Sequence, residues 1–307
     1  MKPNLITLRV WGDFACFTRP EMKVERVSYP VMTPSAARGV LEAVFWEPQM
    51  FYLIDSIRVV KRGRWVSFRR NEVTKVISLD SAKAWMKEPE KTTPIQAGGG
   101  ADDGTQRNML ALQEVEYLIT AEVRVTPLAN RPEDRLEKYL EEIERRACSG
   151  KCFHRPGLGM REFAADFDWE LDADAALKRR HAELAASDQP ATPVTEDFGL
   201  MLYDVFDHQE RAKGFRWLRP EEMDQQESVF EQSLIGVKKG AQTKRRKEFG
   251  ESRGRWTRPP IKPQPAFFYT PQPDTTTRSV LIKNSVMRCH PEDRENVRIL
   301  TSQAGGK

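Results

Sequence analysis

The sequence has few of the features that mark secreted, membrane-spanning or disulfide-stabilised proteins. Only 4 of its 307 residues are cysteines, too few for a disulfide scaffold in a chain of this length. It has no charged-then-apolar leader and no run of about 18 apolar residues, so we expect neither secretion nor contact with a membrane. These absences together predict a cytoplasmic protein with reduced thiols.

The sequence also lacks a strong excess of charge and the common cofactor motifs. Its net charge of +4 says little about nucleic acid, whose binding needs a basic patch rather than a basic total. It contains no phosphate-binding P-loop, dinucleotide fingerprint or Gly-x-Ser-x-Gly elbow. A zinc site built on Cys148, Cys152 and His154 is disfavoured, because the only other pair, Cys289 and His290, is adjacent rather than spaced. We therefore expect no metal and no cofactor.

Hydrophobic periodicity predicts an α+β fold. Alternating apolar residues predict strands at 5–11, 51–60, 115–125 and 161–171, and helical spacing predicts helices at 33–47 and 132–148. This order of elements resembles the ferredoxin-like βαββαβ arrangement, as in RRM domains. The expected fold class is therefore a ferredoxin-like domain with a β-rich C-terminal extension.

Composition divides the chain further. Residues 1–171 form the predicted ferredoxin-like domain, with an inserted excursion around 62–110 that is rich in proline and glycine. A polar, alanine-rich connector is predicted at 172–196. A small β-rich domain follows at 197–290, with a strand at 198–206, a closing strand pair at 266–269 and 279–288, and a basic insert around 236–262. Residues 291–307 are predicted to be a flexible tail.

Four sequence blocks carry a family resemblance. They read WGD at 11–13, RNEV at 70–73, GLGMREF at 157–163 and FGLMLYD at 198–204. In this order they resemble the fifth family of CRISPR-associated proteins in its subtype I-C form, a member of the RAMP superfamily. The resemblance covers about 4–206 and resumes at 266–288, whereas the stretch between 207 and 265 is longer than the family pattern.

The resemblance implies a role in CRISPR antiviral defence. Such proteins hold the 5′ handle of the crRNA within the Cascade surveillance complex. The implied partners are the backbone subunit of the seventh Cas family, the large subunit of the eighth family and target DNA near the PAM. In subtype I-C the protein also cuts precursor crRNA without metal, by attack of a 2′-hydroxyl on the adjacent phosphorus to leave a cyclic phosphate.

The resemblance also implies where the catalytic groups lie. Family members have a Lys-His pair on the second helix, which reads Lys138 and Tyr139 here, and a Tyr or His at the end of the first helix, which reads Phe45. Tyrosine has an ordinary pKa near 10 and is a poor base, and phenylalanine transfers no proton. Lys138 can still supply the cation, and Tyr139 is a candidate general acid or, with a lowered pKa, a candidate base. His154, close to Gly157, is the other candidate, so the candidate catalytic residues are Lys138, Tyr139 and His154.

Two alternatives remain open at this stage. The replacements at 45 and 139 favour a non-catalytic, structural RNA-binding subunit of the same complex. An unrelated RNA-binding regulator on a ferredoxin-like scaffold is the second alternative.

Basic, aromatic and glycine residues mark a predicted RNA-binding surface. Glycines at 150–159 would let backbone N–H groups approach phosphate, although an ordinary helix-to-strand connection looks similar. Aromatic residues near the start can stack on bases or belong to the core, and the arginines at 62–70 suit phosphates or a solvated edge. The basic run at 238–247, with Arg253, Arg255, Trp256 and Arg258, is either solvated or binds nucleic acid. The candidate RNA-binding residues are Trp11, Phe14, Arg19, Lys23, Arg26, Arg38, Arg64, Arg69, Arg70, Arg107, Lys151, Arg155, Gly157, Gly159 and Arg161.

Overall fold

The computed structural model describes residues 4–98, 100–187, 194–214, 220–252, 265–272 and 278–300. No helix within these ranges is long and apolar enough to cross a membrane. The strands are β1 (Leu5–Ala15), β2 (Arg26–Val27), β3 (Met50–Lys61), β4 (Arg64–Val73), β5 (Gly104–Val125), β6 (Asp166–Glu170), β7 (Glu196–Asp197), β8 (Met201–Asp204), β9 (Ala266–Tyr269), β10 (Leu281–Lys283), β11 (Val286–Arg288) and β12 (Arg298–Leu300). The helices are α1 (Pro34–Val44), α2 (Leu79–Lys87), α3 (Leu136–Cys148), α4 (Ala173–Ala186), α5 (His208–Ala212), α6 (Pro220–Ser233) and α7 (Lys239–Ser252).

The 22-residue strand β5 organises a large sheet. The strand order is β6-β1-β5-β3-β11-β10-β7, and each neighbouring pair along it is antiparallel. The C-terminal half of β5 pairs with β1 and β3, while its N-terminal half continues into a hairpin with β4. The protein therefore has a mixed α and β structure built on a large antiparallel sheet.

Helices cover both faces of this sheet. Thr33 caps α1 by accepting a hydrogen bond from the N–H of Ala36, and α1 and α3 bury their apolar sides in the main core. The opposite face of the sheet presents Leu118, because successive side chains of a strand alternate. Leu118 packs with Leu177 and Leu184 of α4 in a smaller cluster.

Helix α4 occupies 173–186, where the sequence predicted only a connector. Its apolar side includes Ala173 and Ala176 with Leu177 and Leu184, and alanine contributes so little hydropathy that the helical spacing was hidden. The excursion predicted at 62–110 contains the hairpin of β4 and β5 together with α2, and the strand predicted from 161 begins at Asp166.

The C-terminal strands differ from the predicted closing pair. β10 and β11 form a hairpin at 281–288 that joins the large sheet beside β3, whereas β9 pairs with β8 and β12 in a second, three-stranded sheet. Met201 and Phe268 of this second sheet are buried in the same core as β1 and α1. The predicted flexible tail is wrong as far as Leu300, because β12 is paired and Val297 is buried. Residues 301–307 lie outside the described residues.

A buried polar cluster joins β5 to the segment after β11. The carboxylate of Glu122 accepts hydrogen bonds of 2.8 Å each from Asn4, Arg124 and His290. Burial raises the pKa of Glu122, but the hydrogen bonds from these three side chains outweigh burial and lower it to about 2. Nδ1 of His290 accepts a hydrogen bond from the N–H of Glu292. The ring proton is therefore on Nε2, which donates to Glu122.

Candidate nucleic-acid interface

The segment 150–163, called the glycine loop here, leaves the end of α3 and packs against the end of β1. Gly159 has a φ of +84°, and a Cβ atom there would lie 2.2 Å from the carbonyl oxygen of Cys16. A Cβ atom on Gly157 would lie 2.5 Å from the carbonyl oxygen of Met160. The N–H of Cys16 donates to the carbonyl of Leu158 at 3.0 Å. Glycine is required because the two backbones touch.

Several backbone N–H groups of the glycine loop donate to carbonyls within the protein. Those of Leu158, Gly159 and His154 donate to the carbonyls of Phe163, Gly157 and Ala43 at 2.8, 3.0 and 3.2 Å. The expectation that this backbone cradles phosphate is therefore wrong for these three groups. A buried or turn N–H is nearly always paired, and here the partner is the protein itself. For these three residues, only the side chain is left to contact phosphate.

The glycine loop and α1 enclose an open cleft of about 760 Å³. The cleft brings together candidate residues that the sequence analysis selected: His154, Arg155, Gly157, Gly159 and Arg161. Small residues of α1 form the other wall and keep it open: Ser35, Ala36, Gly39 and Ala43.

Cationic side chains concentrate around this cleft. Arg155 is exposed and pairs with Asp166 at 2.6 Å. Lys151 and Arg161 are exposed, and neither forms an ion pair with any described residue. The cleft therefore carries positive charge that the protein does not neutralise, next to an exposed imidazole on His154.

The predicted pair on α3 lies apart from the cleft. Lys138 is half-exposed, and its ammonium is 3.9 Å from Glu47 and 3.8 Å from Asp134. It is not among the residues that line the cleft. Lys138 is in the first turn of α3, and the glycine loop leaves the last turn, about 15 Å farther along the helix axis. Lys138 therefore faces two carboxylates and does not line the cleft that contains His154.

Tyr139 is buried and does not fit the role of a base. Its hydroxyl donates to Asp134 at 3.0 Å. Burial and, second, this hydrogen bond raise the pKa of Tyr139 well above its ordinary value, so the hydroxyl stays protonated. Phe45 is also buried, with the guanidinium of Arg146 5.2 Å from its ring. Both side chains serve the packing of α1 and α3.

Trp11 and Phe14 do not form a shared stacking surface. They are three residues apart on β1, so their side chains lie on opposite faces of the sheet. The guanidinium of Arg9 covers Trp11 at 4.2 Å from its ring centre. Phe14 packs against Phe68 and Phe163, with ring centres 5.1 and 5.7 Å away. The protein itself thus occupies ring surface on both aromatics.

Arg38 is a structural residue rather than an RNA contact. It is buried, and its guanidinium donates to Asp204 at 2.7 and 2.9 Å and to Glu42 at 2.6 Å. The pairing fixes α1 to β8 in the interior. The sequence could not show this, because Asp204 is 166 residues away.

Most of the other candidate arginines are paired on the surface. Arg64 lies 3.5 Å from Glu114, and Arg26 and Arg107 share Glu72 at 3.9 and 3.4 Å. Such exposed pairs are worth little and can exchange for phosphate.

Four basic candidates remain, and one of them contacts the glycine loop. Arg70 donates to Glu162 at 2.7 Å, which joins the β4 hairpin to the glycine loop. Arg19 lies 4.8 Å from the ring centre of Tyr29 and 3.8 Å from the carboxylate of Glu21. Lys23 and Arg69 are exposed without an ion-pair partner among the described residues. The Arg70–Glu162 pair therefore holds the β4 hairpin beside the loop that lines the cleft.

Sequence reasoning missed Phe153 and the α1 wall of the cleft. Phe153 is 82% exposed at the rim, next to His154. A usable signal was present, because Lys151, Phe153 and Arg155 alternate cation, aromatic and cation. Nothing in the sequence showed that Ser35 and Gly39 would face this loop, since that contact depends on how α1 lies on the sheet.

Comparison with known proteins agrees with the sequence blocks. The sequence model of the family described as "CRISPR-associated protein (Cas_Cas5)" matches residues 5–238. The chain is 42% identical over 217 residues to the "CRISPR pre-crRNA endoribonuclease Cas5d" of Mannheimia succiniciproducens, a match covering 69% of this chain and 90% of that protein. It is 44% identical over 162 residues to the Thermus thermophilus protein of the same name, covering 53% of this chain and 62% of that protein.

The chain was also compared with solved structures. One is titled "Crystal Structure of CRISPR-associated Protein", with a TM-score of 0.47, 15% identity and 96% of each chain covered. Another is titled "CRISPR RNA-guided surveillance complex", with a TM-score of 0.31, 14% identity, and 53% of this chain and 60% of that chain covered.

Proposed function

The chain belongs to the Cas5d-type family of CRISPR-associated proteins, and from this premise we propose that it binds the 5′ handle of crRNA as a Cascade subunit and processes precursor crRNA. The match over residues 5–238 and two relatives above 40% identity support the proposal. Family membership removes the alternative of an unrelated ferredoxin-like regulator.

The order of strands supports a ferredoxin-like core of the RAMP type. Helix α1 connects β1 to β3, and α3 connects β5 to β6. Numbered along the chain, these four strands lie in the order fourth, first, third, second, all antiparallel. This arrangement corresponds to a split βαβ motif.

The single observation that carries the RNA-processing proposal is the cleft that joins His154, Arg155 and Arg161. Cleavage through a 2′-hydroxyl needs a group to accept the 2′ proton, a cation for the phosphorane and an acid for the departing 5′ oxygen. His154 is the exposed proton-transfer group of the cleft. Arg161 carries a charge that no described carboxylate neutralises, which suits it to hold the scissile phosphate.

In this proposal Lys138 takes no part in the chemical step and binds RNA instead. Its two carboxylate neighbours are nearly 4 Å away, so both pairs are weak and Lys138 can turn to a phosphate of the RNA. In this proposal Lys138 binds the handle, and the buried Tyr139 only holds the start of α3 in place.

The experiment incubates repeat RNA with the protein in chelator and identifies the product ends. We expect a cyclic phosphate with the wild type and a rate reduced about 10²- to 10⁴-fold by His154→Ala. Lys138→Ala should weaken binding more than it lowers the rate of the bound complex. His181→Ala on α4, which covers the opposite face of the sheet, is the matched control. If His154→Ala keeps full cleavage activity and Lys138→Ala has no activity, the chemistry belongs to α3 instead.

A non-catalytic role is the second candidate function. The burial of Phe45 and Tyr139 favours it, because neither position with a proton-transfer group in the family provides one here. Repeat RNA that is bound tightly but left intact by the wild type would establish this candidate.

We also propose the partner subunits that the family implies, namely the backbone subunit of the seventh Cas family and the large subunit of the eighth. The excursion after β4 supports a protein contact. Val76, Leu79 and Met86 there are 91%, 71% and 82% exposed, and α2 has no buried residue. Replacing Val76 and Met86 by Ser should reduce co-purification of the backbone subunit while leaving binding of repeat RNA unchanged.

Helix α7 supports a contact with target DNA near the PAM. Lys239, Arg245 and Arg246 are exposed, and only Arg246 has a carboxylate partner shown here, Glu231 of α6. The family match stops at residue 238, so this basic helix is an addition to the matched region. Arg253, Arg255, Trp256 and Arg258, also predicted to bind, lie outside the described residues.

Salt dependence tests the role of α7. Changing Lys239 and Arg245 to Ser in the assembled complex should reduce the slope of log K against log salt for duplex DNA by about 0.9 per lost phosphate contact. An unchanged slope for DNA contradicts the proposal. A reduced slope for repeat RNA instead would assign α7 to the guide.

A further inference from the structure

One aromatic side chain at the rim of the cleft has no structural task. Phe153 is 82% exposed. Its ring touches His154 in an edge-on arrangement with centres 5.8 Å apart. It adds nothing to either wall of the cleft and belongs to no hydrophobic cluster of the described residues.

The backbone nevertheless holds Phe153 in a defined place. Its N–H donates to the carbonyl of Ala43 at 2.9 Å and lies 3.3 Å from that of Val44, at the end of α1. The next N–H, of His154, also reaches the carbonyl of Ala43. These bonds anchor the loop to α1 and leave the ring projecting into solvent.

The surroundings of Phe153 are those of a nucleic-acid site. Lys151 and Arg155 flank it in the sequence, and both are exposed. His154 and Arg155 line the cleft immediately beside it. A free aromatic face between cations is the arrangement that single-stranded RNA recognises, by stacking a base on the ring while the cations hold the phosphates.

We propose that Phe153 is the stacking platform for the base next to the phosphate that enters the cleft. The inference rests on the proposed function, which it deepens by naming a residue that positions the RNA. Stacking at the rim turns the backbone of that nucleotide toward His154 and Arg161. Phe153 binds and orients the RNA, and it transfers no proton.

The test replaces one base at a time in repeat RNA with 2-aminopurine, whose fluorescence reports stacking. With the wild type we expect one position to change its fluorescence on binding, and Phe153→Ala to abolish that change. Loss of one stacked base is worth about 1–3 kcal/mol, which corresponds to a dissociation constant about 5- to 140-fold weaker. Phe153→Tyr should show the fluorescence change and the affinity of the wild type, because its ring can stack. Phe153→Leu should show neither. Leu171→Ala, at a site 79% exposed, is the matched control.

Two further readouts separate stacking from other roles. The slope of log K against log salt should be the same for Phe153→Ala and the wild type, since no phosphate contact is removed. Because the ring is exposed, the melting temperature should not change. A Phe153→Ala variant that binds RNA like the wild type but loses a partner subunit would overturn the inference, as would equal rescue by Leu.

The outcomes also distinguish this inference from the proposed function. If the wild type binds repeat RNA and Phe153→Ala binds it equally, only the stacking role fails. If the wild type binds no repeat RNA, the proposed function fails and the stacking role fails with it.

Discussion

Replacing Arg38 by Ala should destabilise the protein strongly without changing how its surface attracts RNA. Arg38 donates three hydrogen bonds of 2.6, 2.7 and 2.9 Å to Glu42 and Asp204. Burial raises the pKa of Asp204, but the charge and hydrogen bonds of Arg38, with smaller contributions from Arg211, outweigh it and lower the pKa. Removing Arg38 would therefore leave a charged carboxylate in the interior with one remaining cationic neighbour.

Breaking one partner of a buried ion pair costs about 3–5 kcal/mol. With an unfolding entropy of about 2.1 cal/mol/K per residue, this cost lowers the melting temperature of the chain by about 5–8 °C. Scanning calorimetry measures the shift directly. Arg69→Ala, at an exposed arginine without a partner among the described residues, should shift it by less than about 1 °C.

A second variant separates the ion pair from the loss of packing. Changing Asp204 to Asn in the Arg38→Ala background removes the stranded charge and should recover part of the lost stability. The reasoning is refuted if Arg38→Ala melts like the wild type while the salt slope of its RNA binding falls, because Arg38 would then face RNA in solution.

Three other changes test particular contacts. Gly159→Ala adds a Cβ atom 2.2 Å from a backbone carbonyl and should cost about 2–5 kcal/mol in urea unfolding, whereas Gly150→Ala, also at positive φ but with nothing within 4 Å, should cost about 1–2 kcal/mol. Glu122 has a folded pKa of about 2, so its stabilisation is complete above about pH 5 and is lost as the pH falls toward 2. Glu122→Gln should therefore lower the free energy of unfolding at pH 7 by roughly 3 kcal/mol, which appears as a lower melting temperature. The melting temperature of the variant should also depend less on pH below 5. Tyr139→Phe should cost about 0.5–1.5 kcal/mol and leave the cleavage rate unchanged, so a large loss of rate would restore Tyr139 as a catalytic residue.

The sequence predicted the order of the main elements because their signals are local. Alternation of apolar residues in β1 and β3 and the capped apolar stripe of α1 are readable within a dozen residues. Helix α4 was missed because half of its buried side is alanine, and β12 was missed because three residues carry no period. Helix α4 and strand β12 are stabilised by packing and pairing with distant parts of the chain, and this is not visible in their own residues.

Part of the candidate site was also readable from the sequence. The glycine loop and its basic residues were identified from spacing and family resemblance, and the structure gathers several of them in one cleft. The sequence could not separate Arg38 from Arg161. The two side chains are identical, and only their neighbours in the folded protein differ. Arg38 is paired with Asp204, whereas Arg161 has no ion-pair partner among the described residues and can bind a ligand.

The sequence by itself determined the family, the alternation of strands and helices, and the position of the glycine-rich loop after the second helix. The tertiary structure alone decided which charges are paired, that Tyr139 is buried, and that His154 shares a cleft with Arg161 while Lys138 does not. The physical reason is distance along the chain. Periodicity and turn chemistry act between residues a few positions apart, whereas burial and ion pairing depend on residues that only folding brings together.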